Sequence, residues 1–215
     1  GYIFALTEAG KLLRNEAEIV DYSGLSPIYE VYYRSKALEK EQVDSFNSLQ
    51  GFEEKKEFLT KLNSFPPLSR KAKDALASAD ILIYGPGTQY SSLYPTYFTE
   101  NFSHSVKRIR ALKIFISNVF HDNETPGFSA VDQIRQAIFY LNQKIRGPLT
   151  EEDLIDVSIT NDPSTQDSRY IMPNRTELEQ LKLGTILIEN VESKKNEGSH
   201  DPQKISNLVF NVFNS

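Results

Sequence analysis

The sequence has 215 residues but contains no cysteine, no long apolar run and no excess of positive charge. The absence of cysteine excludes disulfides, thiolate nucleophiles and cysteine-ligated metal sites. No apolar run approaches the roughly 18 residues that a membrane-spanning helix requires. The formal net charge of -5 disfavours sequence-independent binding to nucleic acid. We therefore expect a cytoplasmic protein that has neither nucleic acid nor a membrane as its partner.

Two catalytic motifs are absent as well. No Gly-Lys-Ser/Thr follows a glycine-rich loop, so the chain is not a P-loop NTPase. No Gly-x-Ser-x-Gly elbow accompanies the three histidines, so no motif indicates a Ser-His-Asp triad. Composition alone still leaves hydrolytic chemistry open.

In the later part of the chain, short apolar runs alternate with helical patterns. The predicted strands span 81–84, 113–119, 154–160 and 185–190, and the predicted helices span 99–112, 129–145, 174–182 and a segment from 201. The run 81–84 is of the type expected of a strand buried on both faces. Ser129 and Asn174 are the predicted N-caps of the second and third of these helices. This alternation is typical of βαβ units and a parallel sheet. The predicted fold is therefore α/β, a three-layer Rossmann-like arrangement with a mostly parallel sheet.

The first 78 residues show a different pattern. Residues up to 35 are predicted to be extended, with strands at 2–7, 11–14 and 27–34, followed by a charged helical region at 36–63 and a helix at 69–79. The chain opens inside an apolar run without an initiator methionine, which suggests a piece of a longer protein. We expect a single domain, with an extended and helical part at 1–78 and a βαβ core at 79–215.

A glycine-rich loop follows the first predicted strand of the core. In an open α/β sheet, ligands bind at the carboxyl ends of the strands, near a switch in strand order. Gly85 and Gly87 permit positive φ and close backbone approach, so their N–H groups and that of Thr88 could line an anion site. The alternative is a plain turn.

The loop after the next predicted strand is also polar. His121, Asp122, Glu124 and Asp132 could together hold a metal ion. The alternative is that such side chains only satisfy the loop backbone and the helix caps.

Two further features lie near predicted strand ends. His200-Asp201-Pro202 opens the last predicted helix, either as a cap alone or as an anion site at a helix N-terminus. Tyr170 precedes a proline loop, where it could pack against the protein or stack on a ligand.

Three motifs resemble the CofD/YvcK-like family in order and spacing. They are ADILIYGPGTQYSSLYP (79–95), ISNVFHDNETPGFSAVDQI (116–134) and HDP (200–202). The family includes 2-phospho-L-lactate transferases and gluconeogenesis factors that bind UDP-sugars. The resemblance extends over most of residues 1–213 and implies a Rossmann-like fold that binds a nucleotide diphosphate or nucleotide sugar. The family's N-terminal glycine-rich strand and loop have no counterpart here, so the chain resembles the C-terminal two-thirds of the domain.

The resemblance also implies a set of ligand-binding residues. Its backbone donors would bind phosphate, its polar side chains would orient the ligand, and Tyr170 and His200 would border the base or sugar. The set comprises Gly85, Gly87, Thr88, Tyr90, Ser92, Asn118, Glu124, Thr125, Tyr170 and His200. We assign no catalytic residue, no metal ligand and no cofactor to this chain, and we expect Mg²⁺ only if the full-length protein is a transferase.

Three positions depart from the family pattern. Pro126 stands where the family has Asp, Gln133 where His is common, and Ser199 where Arg often precedes His-Asp-Pro. Each change removes a charged or ionisable group from the expected ligand edge. Three functions therefore stay open: a nucleotide-binding protein that could form a homodimer, a transferase of a phospholactyl-type group, and an inactive or scaffolding relic.

Overall fold

The computed structural model describes residues 1–143 and 147–215. In chain order the strands are β1 (Tyr2–Thr7), β2 (Leu12–Leu13), β3 (Ile28–Arg34), β4 (Ile81–Tyr84), β5 (Leu112–Ile116), β6 (Val157–Asn161) and β7 (Thr185–Glu189). The helices are α1 (Glu16–Val20), α2 (Lys40–Ser48), α3 (Phe52–Leu62), α4 (Arg70–Ser78), α5 (Tyr94–Tyr97), α6 (Phe102–Arg108), α7 (Ala130–Leu141), α8 (Glu151–Leu154), α9 (Arg175–Gln180) and α10 (Pro202–Phe213). A π-helical turn spans Gln89–Leu93.

The chain divides into two compact units, and each is assembled from several stretches of sequence. The first unit comprises Gly1–Pro67, Thr88–Glu100 and Asp122–Pro126. The second unit comprises Leu68–Gly87, Asn101–His121 and Gly127–Ser215.

The first unit is built on a small antiparallel sheet in the order β2-β1-β3. Phe4 of β1 lies opposite Tyr32 of β3, and their rings stack with centroids 5.5 Å apart. Phe46 of α2 and Leu59 of α3 complete the buried cluster. The helical region predicted at 36–63 thus contains two helices, which are separated just before Gly51, the N-cap of α3.

The second unit contains the predicted parallel sheet. Its four strands are ordered β4-β5-β6-β7, and every pairing is parallel. Apolar residues of β5 and β6 form a core with Val209 of α10. This arrangement confirms the α/β fold and brings the carboxyl ends of the strands to one edge.

One expectation about this sheet is wrong. The run 81–84 was expected to be buried on both faces, but β4 is an edge strand of the described sheet and Ile83 is 46% exposed. The strand order follows the sequence without a reversal in the part of the chain described, so the sheet itself marks no switch point.

Several helix boundaries differ from the prediction, because tertiary contacts override local pattern. The helix expected over 99–112 ends at Arg108, and Leu112 already pairs in β5. Leu154, predicted as strand, closes α8. The helix predicted over 129–145 ends at Leu141, with Asn142 as its C-cap, and residues 144–146 lie outside the described part.

Residues 16–20, expected to be extended, form the short helix α1, which is capped by Asn15 and anchored by fully buried Ile19. Asn174 occupies the predicted N-cap position of α9, with a left-handed φ of 40° and without a side-chain capping bond. The caps predicted at Ser129 and Asp201 are confirmed. No helix among residues 1–143 and 147–215 is long and apolar enough to cross a membrane.

Candidate functional site

The glycine loop after β4 is held by the side chain of Asn118. Gly87 donates its N–H to Asn118 Oδ1 at 2.8 Å, and Asn118 Nδ2 donates to the Gly87 carbonyl at 3.0 Å. Gly87 has a φ of 148°, which L side chains rarely adopt. In this structure the Gly87 N–H donates to Asn118, and its binding to a phosphate stays a prediction. At Gly85, a Cβ atom would meet nothing within 4 Å, so this backbone faces open space.

Asn118 is itself positioned by α7. The residue is 8% exposed, and its backbone N–H donates to Gln133 Oε1 at 3.0 Å. Gln133 is fully buried, and its Nε2 finds no partner in the described part of the chain. The departure from the family pattern at Gln133 is thus a structural link between α7 and the loop after β5.

His200 lies at the end of β5. Its Nε2 is 2.9 Å from the Ser117 carbonyl oxygen. A carbonyl only accepts, so Nε2 carries the proton and Nδ1 of the neutral ring is an acceptor. Burial lowers the pKa of His200, which favours this neutral form. The adjoining Asp201 caps α10 through the N–H groups of Gln203 and Lys204.

Tyr170 is placed by packing. Its ring is 5% exposed and meets Phe120 edge-on, with centroids 4.6 Å apart. Its hydroxyl donates to Glu192 Oε2 at 2.9 Å, and this hydrogen bond raises the pKa of Tyr170. Glu192 Oε1 also accepts from the Gly198 N–H at 2.7 Å. Tyr170 thus packs against the protein, and its contact with a ligand stays a prediction. Its partner Glu192 was not anticipated from the sequence.

In the first unit, Glu124 caps the π-helical turn. Its Oε2 accepts the N–H groups of Tyr90 and Ser91 at 2.7 and 3.0 Å. The residue is 2% exposed, and Oε1 has no hydrogen-bond partner among the residues described. Burial raises the pKa of Glu124, and the nearby charge of Asp122 adds to the rise. Glu124 thus satisfies two buried backbone donors, and its contact with a ligand stays a prediction.

Asp122 forms a turn. Its Oδ1 accepts the N–H of Glu124 at 3.0 Å and both the N–H and the hydroxyl of Thr125 at 2.9 Å. Asp132 is instead engaged at the cap of α7 with Ser129. Across residues 1–143 and 147–215, no group of three His, Cys, Asp or Glu residues could hold a metal ion. The capping alternative for this loop is the one observed.

The hydroxyl-bearing residues of the π-helical region differ in their exposure to solvent. Thr88 Oγ1 and Ser92 Oγ are 2.8 Å apart, and Ser92 is exposed. The Tyr90 ring is 2% exposed and meets Tyr94 edge-on at 5.0 Å. Thr88 and Ser92 therefore remain reachable from solvent, while the Tyr90 side chain belongs to the core.

The sequence profile of the CofD family, described as 2-phospho-L-lactate transferase CofD, matches residues 4–197. The chain belongs to the CofD family.

Relatives extend this CofD-family assignment. The chain is 26% identical to the gluconeogenesis factor of Bacillus subtilis, covering 99% of this chain and 66% of that protein. It is 25% identical to the gluconeogenesis factor of Halalkalibacterium halodurans, covering 73% and 48%. A crystal structure of a UPF0052-family protein from Bacillus halodurans superposes with a TM-score of 0.69 at 18% identity, covering 97% of this chain and 58% of that one. The chain thus spans less than two thirds of the length of these relatives.

The CofD-family motifs therefore fall into two groups. Gly85, Gly87, Asn118 and His200 lie at strand ends of the second unit. Thr88, Tyr90, Ser92, Glu124 and Thr125 lie in the first unit. Gln133 accepts a hydrogen bond from Asn118, and Asp122 accepts hydrogen bonds from Glu124 and Thr125. The sequence did not indicate either set of partners.

We expect His200 to make a pH-dependent contribution to stability. Its folded pKa is lowered from the value of about 6.5 expected in the unfolded chain. Below that value the unfolded chain binds a proton that the folded chain does not, so stability falls as pH decreases. We expect His200→Gln, which keeps a donor for the Ser117 carbonyl, to reduce the pH dependence of the free energy of unfolding. Urea denaturation between about pH 5 and pH 7.5 measures this dependence. His104→Gln is the matched control, and equal pH slopes for wild type and His200→Gln would contradict the assignment.

Proposed function

We propose that the second unit binds the phosphate-bearing part of a nucleoside diphosphate or nucleotide sugar at the carboxyl ends of its parallel strands. The observation that carries the proposal is the clamp of two opposed hydrogen bonds between Asn118 and Gly87. A loop that is already ordered loses little conformational entropy when a ligand binds. Strand carboxyl ends are also where open α/β sheets bind ligands.

Gly85 and His200 support the same proposal. The open space beside the Gly85 Cα lets a ligand approach the backbone closely. The neutral His200 ring offers Nδ1 to a sugar hydroxyl, since Nε2 is held by Ser117. An acceptor of this kind suits the ribose or sugar part of a nucleotide sugar.

Gly85→Ala is the sharpest test of this site. The φ of Gly85 is not in the left-handed range and an added Cβ meets nothing, so the fold should tolerate alanine. The methyl group would fill the space that the ligand needs, and we expect at least tenfold weaker binding of UDP-N-acetylglucosamine or GDP by calorimetry.

Gly51→Ala is the matched control, because its Cβ would make only an ordinary contact with Glu54 in the first unit. Equal affinity of Gly85→Ala and wild type would refute the site. So would the absence of binding at about 1 mM of either nucleotide.

A second candidate is the transferase reaction, which the description of the matching family favours. In it, an acceptor alcohol oxygen would bond to the phosphorus that carries the transferred group, and the bond from this phosphorus to the oxygen of the nucleoside monophosphate would break. The nucleoside monophosphate would leave with the electron pair, and the alcohol proton would pass to water. No residue of this chain is assigned to magnesium, because no fitting donor group of three exists in the described residues. In the full-length protein with donor, acceptor and Mg²⁺, release of GMP would identify a transferase, and binding without release would identify a binding protein.

A further inference from the structure

A separate cavity of about 440 Å³ lies in the second unit. Its lining comes from α4, from α6 and from the residues that follow each helix: Lys73, Leu76, Ala77, Ala79, Ser105, Arg108, Ile109 and Arg110. The chain enters β4 just after Ala79 and enters β5 just after Arg110. The cavity therefore lies at the amino ends of these strands, at the opposite edge of the sheet from the Gly85 loop.

Three cationic side chains border this cavity without a carboxylate partner. No ion pair within 4 Å involves Lys73, Arg108 or Arg110 in the residues described, although neighbouring cations are paired. Lys107 contacts Asp153 at 3.1 Å, and Arg70 contacts Asp74 at 3.9 Å. This local excess of positive charge occurs in a chain whose formal net charge is -5.

Helix dipoles do not explain the three cations. The carbonyl end of a helix carries about half a negative charge and favours a cation, which accounts for Arg108 at the end of α6. Lys73 lies in the first turn of α4, where the dipole disfavours a cation, and Arg110 lies beyond α6. Three full charges also exceed the roughly one negative charge of two helix ends.

The cavity also has an apolar floor. Leu76 is 8% exposed, Ile109 is half-buried, and two alanines complete the surface. Ligand cavities of roughly 300 to 1,000 Å³ with apolar walls and a few convergent polar groups are typical of small-molecule sites. A ligand that fits must therefore combine several negative charges with an apolar body.

We propose that this cavity binds a small organic polyphosphate, with its phosphates on Lys73, Arg108 and Arg110 and its organic part on the floor formed by Leu76 and Ile109. Arginine side chains recognise phosphate oxygens through paired hydrogen bonds, and lysine adds a point charge. This site is independent of the nucleotide site proposed at the opposite edge.

The test uses ATP as the probe and amide chemical shifts of the whole chain as the readout. Residues 73–79 and 105–110 should shift during titration. Arg108→Gln with Arg110→Gln should weaken this binding about a hundredfold, at roughly tenfold for each charge-assisted contact. Lys71→Gln is the matched control, because Lys71 is an exposed lysine of α4 outside the cavity lining, and it should change the affinity less than about twofold.

Each outcome decides the proposal. Absence of shifts at these residues with about 5 mM ATP would overturn it, as would unchanged binding in the double variant. Inorganic pyrophosphate, which has no organic part, tests the apolar contact with Leu76 and Ile109. It should bind at least about tenfold more weakly than ATP, and equal affinity would contradict this apolar contact. UDP-N-acetylglucosamine should not displace ATP from these residues, and displacement would show that the two sites are one.

Discussion

Replacing Glu124 by alanine should lower the free energy of unfolding by about 2 to 4 kcal/mol. The Glu124 carboxylate accepts the N–H groups of Tyr90 and Ser91, and all three residues are buried. Alanine would remove the carboxylate that accepts both N–H groups, and the loss of a buried hydrogen-bond acceptor exposes the desolvation cost of its donors. Denaturation by urea at neutral pH, followed by circular dichroism, measures the effect.

Glu124→Gln is the matched variant. Its amide oxygen can still accept both N–H groups, while the buried charge is removed. Burial raises the pKa of Glu124, so the proton-linked part of its contribution to stability is complete below the unfolded value of about 4.3 and is lost as pH rises through the folded pKa. The two hydrogen bonds to Tyr90 and Ser91 contribute separately from this part. Glu124→Gln should therefore match or exceed the wild-type stability at neutral pH and lack this loss. If Glu124→Ala proved as stable as Glu124→Gln, the capping role would be wrong.

Asn118→Asp should weaken nucleotide binding by about a hundredfold or more. One carboxylate oxygen can still accept from the Gly87 N–H, but the other would face the Gly87 carbonyl, to which the amide now donates at 3.0 Å. The substitution thus replaces one of the two hydrogen bonds to Gly87 by a repulsion between two oxygen atoms. It also adds a negative charge beside the proposed phosphate position. Calorimetry with GDP measures the affinity, and urea unfolding measures the accompanying stability loss of about 1 to 3 kcal/mol.

Asn118→Ala separates the two causes. It removes both hydrogen bonds to Gly87 without adding charge, so the difference between the two variants reports the electrostatic part. That difference should shrink at high salt, because mobile ions screen charges at accessible sites. Wild-type affinity in Asn118→Asp would place the nucleotide elsewhere.

Much of the fold could be predicted from local pattern. The predicted strand run 81–84 matches β4, and the predicted caps at Ser129 and Asp201 begin α7 and α10. These features depend on residues a few positions apart, so apolar periodicity and capping chemistry suffice to identify them. The short helix α1 escaped prediction because five residues are too few to show a helical period.

The sequence by itself determined the α/β class, the parallel sheet and the polar loops at its strand ends. It also carried the motifs that place the chain in the CofD family. Only the tertiary structure decided which groups those loops engage. Asn118 holds Gly87 across 31 positions, and Glu124 reaches Tyr90 across 34. Such partners meet only after the strands and turns are placed, and the burial that sets the pKa of Glu124 and His200 arises at the same step.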